Sequence, residues 1–254
     1  MRESMNRAYW DGLAEKFEST VFDIAANEIG GNLYRKIKGL GMQYRTAGDF
    51  GCGTGATTAL LAKHFSSVVA VDFAKKLLAQ AKERISSDNV RFIEADLSSK
   101  RSHLPSKVDV SFCFNALIHP DWKERRGIAE SVYRNTKKGG TVLVVVPSLE
   151  SYLRTYQTLL ECRVSQVYSR RATVQSLSKS ADRMIGSLIE GICDAGGAET
   201  KHFMEDEIAH LLEDVGFSIA SVERVEFPWV EELDDAPEWL GEPFPWDWLV
   251  TAGC

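Results

Sequence analysis

Apolar residues along this chain fall into two alternating rhythms. Val68-Val69-Ala70-Val71-Asp72 is a short apolar run closed by an acid. Val90-Arg91-Phe92-Ile93-Glu94-Ala95-Asp96 alternates with period two and closes the same way. Val108–Phe114 and Thr141–Val146 are further strand-like runs, the latter β-branched and apolar throughout, as a central parallel strand is. Between them, residues 56–65, 74–85 and 122–136 carry helical spacing. Strand-helix alternation of this kind predicts βαβ units and a parallel sheet. Asp49-Phe50 closes a weak first strand, because Ala47-Gly48 is a poor strand former.

The rhythm breaks at residues 149–200. Leu149, Tyr152, Leu153, Tyr156, Leu159 and Leu160 predict one helical face, residues 165–183 are rich in Ser and Arg, and Ala195-Gly196-Gly197-Ala198 reads as a turn. The segment is expected to form an inserted cap. Arg154, Arg163, Arg170, Arg171, Lys179 and Arg183 outnumber Glu150, Glu161 and Asp182 there, which suits either a solvated face or an anionic small molecule. Alternation resumes with a helix over 204–215, closed by Gly216 and followed by strands at 217–227 and 246–250. Residues 1–40, with Tyr9, Trp10, Phe17, Phe22 and Ile29, read as helices that either pack on the domain or form a lid.

Composition narrows the picture. The 254 residues are 44% hydrophobic and 26% charged, which suits one folded domain over 1–254. A net charge of −6 gives no basic footprint, so no nucleic-acid partner is expected. No apolar run approaches a membrane span, and the N-terminus has no signal core, so no membrane partner is expected. Cys52, Cys113, Cys162, Cys193 and Cys254 are odd in number and scattered, without a C-x-x-C pair. That predicts neither a metal site nor a disulfide framework, and a reduced, cytoplasmic protein.

The candidate chemistry begins at Asp49-Phe50-Gly51-Cys52-Gly53-Thr54-Gly55, a strand end followed by glycines two apart and then a helix. Glycines let backbone approach a ligand and tolerate positive φ. The Gly-x-Gly-x-x-Gly spacing of a dinucleotide site is absent. Asp72, seventeen residues after Gly55, can accept two hydrogen bonds from a ribose diol, or cap the following helix. Asp96 can accept from an exocyclic amine of a base, with Phe73 and Leu97 as apolar plates, or serve as a turn residue. Open α/β sheets bind ligands at the carboxyl ends of their strands, so a glycine loop and two acids there describe a nucleoside site.

Over Ala47–Val146 the chain resembles the class I S-adenosylmethionine-dependent methyltransferases. The loop 49–55 is similar to the family's first motif, Val69–Asp72 to its second and Glu94–Asp96 to its adenine-side motif. Val108–His119 is similar to the fourth-strand motif, and Glu205–Phe217 resembles the helix leading into strand six. The resemblance implies a Rossmann-like α/β fold with a seven-stranded sheet of order 3-2-1-4-5-7-6, strand seven antiparallel and helices on both faces. It implies S-adenosyl-L-methionine as cofactor and S-adenosyl-L-homocysteine as product. Tyr9, Asp49, Gly51, Cys52, Gly53, Gly55, Asp72, Phe73, Asp96, Leu97 and Asn115 are then the expected cofactor-binding residues. The chain departs from the commonest pattern at Gly48, where an apolar residue is usual.

Methyl transfer is an in-line displacement, and much of its rate comes from alignment. A base is needed only for an acceptor that must lose a proton. His119, just past the fourth strand, is the candidate base; its alternative is a structural histidine. His202 is a second candidate facing the acceptor. The expected activity is methylation of a small-molecule acceptor, with an anionic one suited to the arginine-rich insertion. The alternatives are an RNA or protein methyltransferase, or a non-catalytic protein that binds S-adenosylmethionine.

Overall fold

The computed structural model describes residues 5–17, 21, 23–100, 104–166, 187–195, 198–232, 236 and 240–254. The strands are β1 (Thr46–Phe50), β2 (Ser67–Asp72), β3 (Val90–Glu94), β4 (Val108–Phe114), β5 (Thr136–Pro147), β6 (Ile192–Ala195), β7 (Ala198–Lys201), β8 (Ser218–Glu226) and β9 (Trp246–Gly253). The helices are α1 (Arg7–Leu13), α2 (Ile24–Asn27), α3 (Asn32–Gln43), α4 (Ala56–Ala62), α5 (Lys75–Arg84), α6 (Trp122–Asn135), α7 (Leu149–Gln166) and α8 (Glu205–Val215).

Seven strands form one sheet in the order β3-β2-β1-β4-β5-β9-β8. The first five are mutually parallel, and β9 runs antiparallel to both β5 and β8. Counting only the strands of this sheet, that is the expected order, with β8 and β9 in the sixth and seventh roles. The remaining two strands, β6 and β7, pair antiparallel outside it through Ala195↔Ala198. Those residues bracket the Gly196-Gly197 turn expected from sequence, which lies outside the described residues.

The central strands are buried on both faces, which is why their apolar runs do not alternate. Val142, Val144 and Val146 of β5 join Phe50, Cys113, Leu211 and Phe217 on one face, under α6 and α8. Leu143 and Val145 join Ala47, Phe112, Leu33 and Leu61 on the other, under α3 and α4. The unusual Gly48 has a packing cause. A Cβ there would come within 2.6 Å of the Phe50 ring and 3.2 Å of Val108, so a larger residue would displace Phe50 from the core.

Two local expectations need correcting. The strand-like run read from Thr141 starts earlier: β5 already begins at Thr136, and Gly139-Gly140 sits at an irregularity in its register with β4. The helical face expected on α7 is also incomplete. Leu149 is buried, but Leu153 is exposed, and the other buried positions among the described side chains are Ser151, Thr155 and Thr158; the side chains of Leu159 and Leu160 lie outside the described ones. No helix among the described residues is long and apolar enough to cross a membrane.

Candidate active site

A cavity of about 780 Å³ opens at the carboxyl ends of β1, β2 and β4 and beside the loop after β3. Its wall carries Gly51, Cys52, Gly53, Asp72, Phe73, Asp96, Leu97, Asn115 and His119, so most of the candidate residues converge on one space.

The loop after β1 adopts the conformation that its glycines permit. Gly51 and Gly53 have φ of +84° and +51°. A Cβ on Gly51 would lie 2.5 Å from the Ala116 Cβ, and one on Gly53 2.8 Å from the Phe17 ring. The loop is latched to β2, where Gly51 and Cys52 N–H both donate to the Val71 carbonyl. Gly55 has φ +83° and caps α4, packed toward Ala81 and Ile85, away from the cavity wall. Asp49 also lies beneath the wall. It is buried and accepts a hydrogen bond from the Thr58 hydroxyl. Burial pushes its carboxyl up to about 7, and the neighbouring Asp72 adds to the rise while the Thr58 bond opposes it.

Asp72 serves both readings made from sequence. Oδ2 accepts from Gly53 N–H and Oδ1 from Ala74 N–H, each at 2.9 Å, so the carboxylate fixes the glycine loop and the entry to α5. The Phe73 backbone bonds to it as well, and a carboxylate has about four acceptor positions, so the group keeps capacity toward the cavity. Burial raises its pKa, while those backbone bonds hold it down. Asp96 accepts from Ser98 N–H and hydroxyl through Oδ1, the turn geometry, and Leu97 beside it is buried. Asn115 ends β4 with φ +50°, and its buried Oδ1 has no partner among the described residues.

From the N-terminal segment Trp10 and Phe17 line the cavity, their ring centroids 6.3 Å apart. Tyr9 does not. It stands edge-on to Trp10 at 5.1 Å, so Trp10 holds the place expected of Tyr9.

His119 lies on the wall between β4 and α6, its Nδ1 accepting Asp121 N–H at 3.0 Å. Arg125, buried in α6, donates to the His119 and Pro120 carbonyl oxygens at 2.7 Å each. His202 is elsewhere. It is buried off the cavity wall and packed at a tilt against Tyr152, ring centroids 4.8 Å apart, with Nδ1 3.1 Å from the Thr200 carbonyl. Burial pulls it down to about 4, which leaves it a neutral packing group. Burial also pushes the Cys52 thiol well up and Cys113 up to about 12.

Of the arginine-rich insertion, Arg163 contributes only backbone to the described structure, and Arg170, Arg171, Lys179 and Arg183 lie outside the described residues. No described residue of 149–200 lines the cavity.

Sequence reasoning passed over Asp247. This β9 carboxylate is buried, in contact with the Asn115 side chain and Ser148 backbone, and pushed up to about 7 by burial and by Glu232. Only the pairing of β9 with β5 brings it there. The fully apolar setting of Trp246-Asp247-Trp248-Leu249-Val250 was its one sequence signal.

The arrangement fits a nucleoside cofactor with a charged tail. The bare backbone at Gly51 has no room for a side chain, Asp72 faces the cavity with hydrogen-bonding capacity, and the orphaned Asn115 oxygen needs a donor.

Comparison with known proteins bears on this geometry. Residues 48–140 match the methyltransferase domain family. A malonyl-[acyl-carrier protein] O-methyltransferase 2 from Coxiella burnetii (strain RSA 493 / Nine Mile phase I) is 38% identical over 88 residues, 34% of this chain and 35% of that protein. The match thus spans about a third of that relative's length. A SAM-dependent methyltransferase from Anabaena variabilis ATCC 29413 superposes with TM-score 0.64 at 16% identity, covering 100% of this chain and 97% of its own. The N-methyltransferase NodS from Bradyrhizobium japonicum WM9, solved with S-adenosyl-L-homocysteine, gives 0.59 at 11% identity, covering 96% and 97%.

Proposed function

We propose, for a chain that belongs by its matched domain and its fold to the class I S-adenosylmethionine-dependent methyltransferases, that it methylates a small-molecule acceptor and releases S-adenosyl-L-homocysteine. S-adenosylmethionine is the cofactor of that family. The observation that carries the reading is the convergence of the glycine loop, Asp72, Asp96 and Asn115 from separate strand ends on one cavity.

In this reading Gly51, Cys52 and Gly53 supply close backbone, and Asp72 takes the ribose hydroxyls. Asp96 takes the base amine, with Phe73 and Leu97 flanking the ring. Asn115 accepts from the ammonium of the amino-acid tail. Asp49 and Gly55 support the loop from beneath, and Tyr9 supports Trp10. When bound, the cofactor supplies an electrophilic methyl carbon on a positively charged sulfur.

The chain's own contribution is position and exclusion of water. The N-terminal segment acts as a lid, with Trp10 and Phe17 over the cavity. Alignment of donor and acceptor supplies the rate, and no general base is required if the acceptor arrives deprotonated. The malonyl O-methyltransferase relative supports an oxygen acceptor.

Calorimetry tests the cofactor site. S-adenosyl-L-homocysteine should bind wild type, and Asp72→Ala should weaken it at least ~10-fold, the scale of a lost hydrogen bond to a charged group. Equal affinity in the variant would sink the assignment. A metabolite screen with labelled donor then reads which acceptor gains the methyl group.

A further inference from the structure

His119 was expected to be a base, and its hydrogen bond argues otherwise. Asp121 N–H donates to Nδ1, so Nδ1 carries no hydrogen and its lone pair is occupied. In a neutral imidazole the hydrogen is then on Nε2, at the tip of the ring. Neither nitrogen keeps a lone pair free to take a proton. Nε2 has no hydrogen-bond partner among the described residues, and the ring lines the cavity.

The surrounding backbone holds this state. Arg125 grips the carbonyls of His119 and Pro120 from α6. The Asp121 carboxylate caps the same helix by accepting Lys123 N–H at 2.7 Å, which orients the Asp121 amide toward the ring. On the preceding side, the Ile118 carbonyl accepts Lys201 N–H from β7 at 2.9 Å.

We propose that His119 is the hydrogen-bond donor of the acceptor site, its Nε2–H holding an oxygen of a carboxylate acceptor. This rests on the methyl-transfer reading. A carboxylate has spare lone pairs, so one oxygen accepts from Nε2–H while the other attacks. Its new C–O bond forms as the methyl–sulfur bond breaks. That electron pair stays on sulfur, which becomes neutral, and no proton is moved. An amine needs its single lone pair for attack, and an alcohol needs a base that this ring does not supply. Glu124 lines the same cavity, and its charge opposes an anionic acceptor.

The tautomer is read by nitrogen NMR of the imidazole in the S-adenosyl-L-homocysteine complex at neutral pH. Nε2–H with a bare Nδ1 is expected; Nδ1–H or an imidazolium overturns the proposal, whatever the activity. With a malonyl thioester as probe acceptor and labelled donor, the methyl should be released by mild alkali, as an ester's is. An alkali-stable label overturns the carboxylate. His119→Gln, which keeps an N–H donor, should stay within ~5-fold of wild type in kcat/KM. His119→Ala should lose ~10- to 100-fold, mainly in KM, the range for a charge-assisted hydrogen bond. A fall in kcat of equal size in both variants restores the base. Glu124→Gln should lower KM a few-fold by removing like charge, and a higher KM marks a cationic acceptor and overturns the carboxylate. If wild type fails to bind S-adenosyl-L-homocysteine, the methyl-transfer reading fails, while the tautomer, read then in the free protein, still decides the state of His119.

Discussion

The two edges of the cavity are built differently. On the cofactor-facing edge, at the ends of β1, β2 and β3, the acids answer to groups within the β1–β3 unit: Asp72 to Ala74 beside it and to Gly53 of the loop after β1, Asp96 to Ser98, Asp49 to Thr58. On the opposite edge, past β4, the partners come from far away. Asn115 meets Asp247 of β9, and Ile118 meets Lys201 of β7. The first edge closes within β1–β3, whereas the second adds to its own local bonds contacts that exist only once β7 and β9 have docked. Damage to the first, or to Asn115 where the second edge meets the cofactor's tail, should be felt as cofactor affinity, and damage further along the second edge, at His119, as acceptor handling.

The largest effect expected concerns a feature the edges share, a buried carboxyl near neutrality. Asp49 has its pKa raised to about 7 in the fold, against about 3.9 for an ordinary aspartate. Between those values the folded state keeps a proton that the unfolded chain releases. Its stabilising contribution is therefore full below pH ~3.9 and is lost as pH rises through ~7. Asp49→Asn should gain on wild type from pH 4 to pH 8 by up to about 4 kcal/mol in urea unfolding. Asp247→Asn, whose parent carboxyl is also raised to about 7, should behave alike on the other edge. A pH-independent difference for either variant breaks the symmetry.

Next is Gly51→Ala. It forces positive φ on an alanine and drives its Cβ into Ala116. Each insult costs of order 1–3 kcal/mol, so S-adenosyl-L-homocysteine affinity should drop on the order of 100-fold. Retained affinity would mean that the loop does not hold the cofactor.

Arg125→Gln tests the far edge. Releasing the His119 and Pro120 carbonyls should lower kcat/KM for the acceptor ~10-fold and leave S-adenosyl-L-homocysteine binding within ~2-fold. If both fall together, the two edges are one unit. The smallest effect belongs to Arg7→Ala. The Arg7–Glu94 pair is 2.7 Å long, but its side chains are 43% and 39% exposed, so thermal unfolding should register less than ~0.5 kcal/mol.

Much of the cofactor edge was legible in the chain because its geometry is local. Positive φ at Gly51 and Gly53 is something glycine spacing announces, and an acid closing an apolar run stands at a strand end by construction. Tyr9 and Trp10 were harder to separate, since adjacent residues on one helix face different sides and only docking on the loop decides which one faces the cavity. Leu153 misled for a related reason. Helical spacing put it on the buried face, yet it is exposed, while Leu149, Ser151, Thr155 and Thr158 are the buried side chains among those described on α7.

By itself, then, the sequence determined the doubly covered parallel strands, through their apolar periodicity, and the loop–acid–acid order of the cofactor edge, through short-range backbone demands. Only the tertiary structure decided that Asp247 stands behind Asn115, that His202 is a packed neutral ring, and that Trp10 rather than Tyr9 lines the cavity. Which groups are buried together, and which side of a helix meets a neighbour, depends on contacts between segments whose separation in the chain carries no periodic signal.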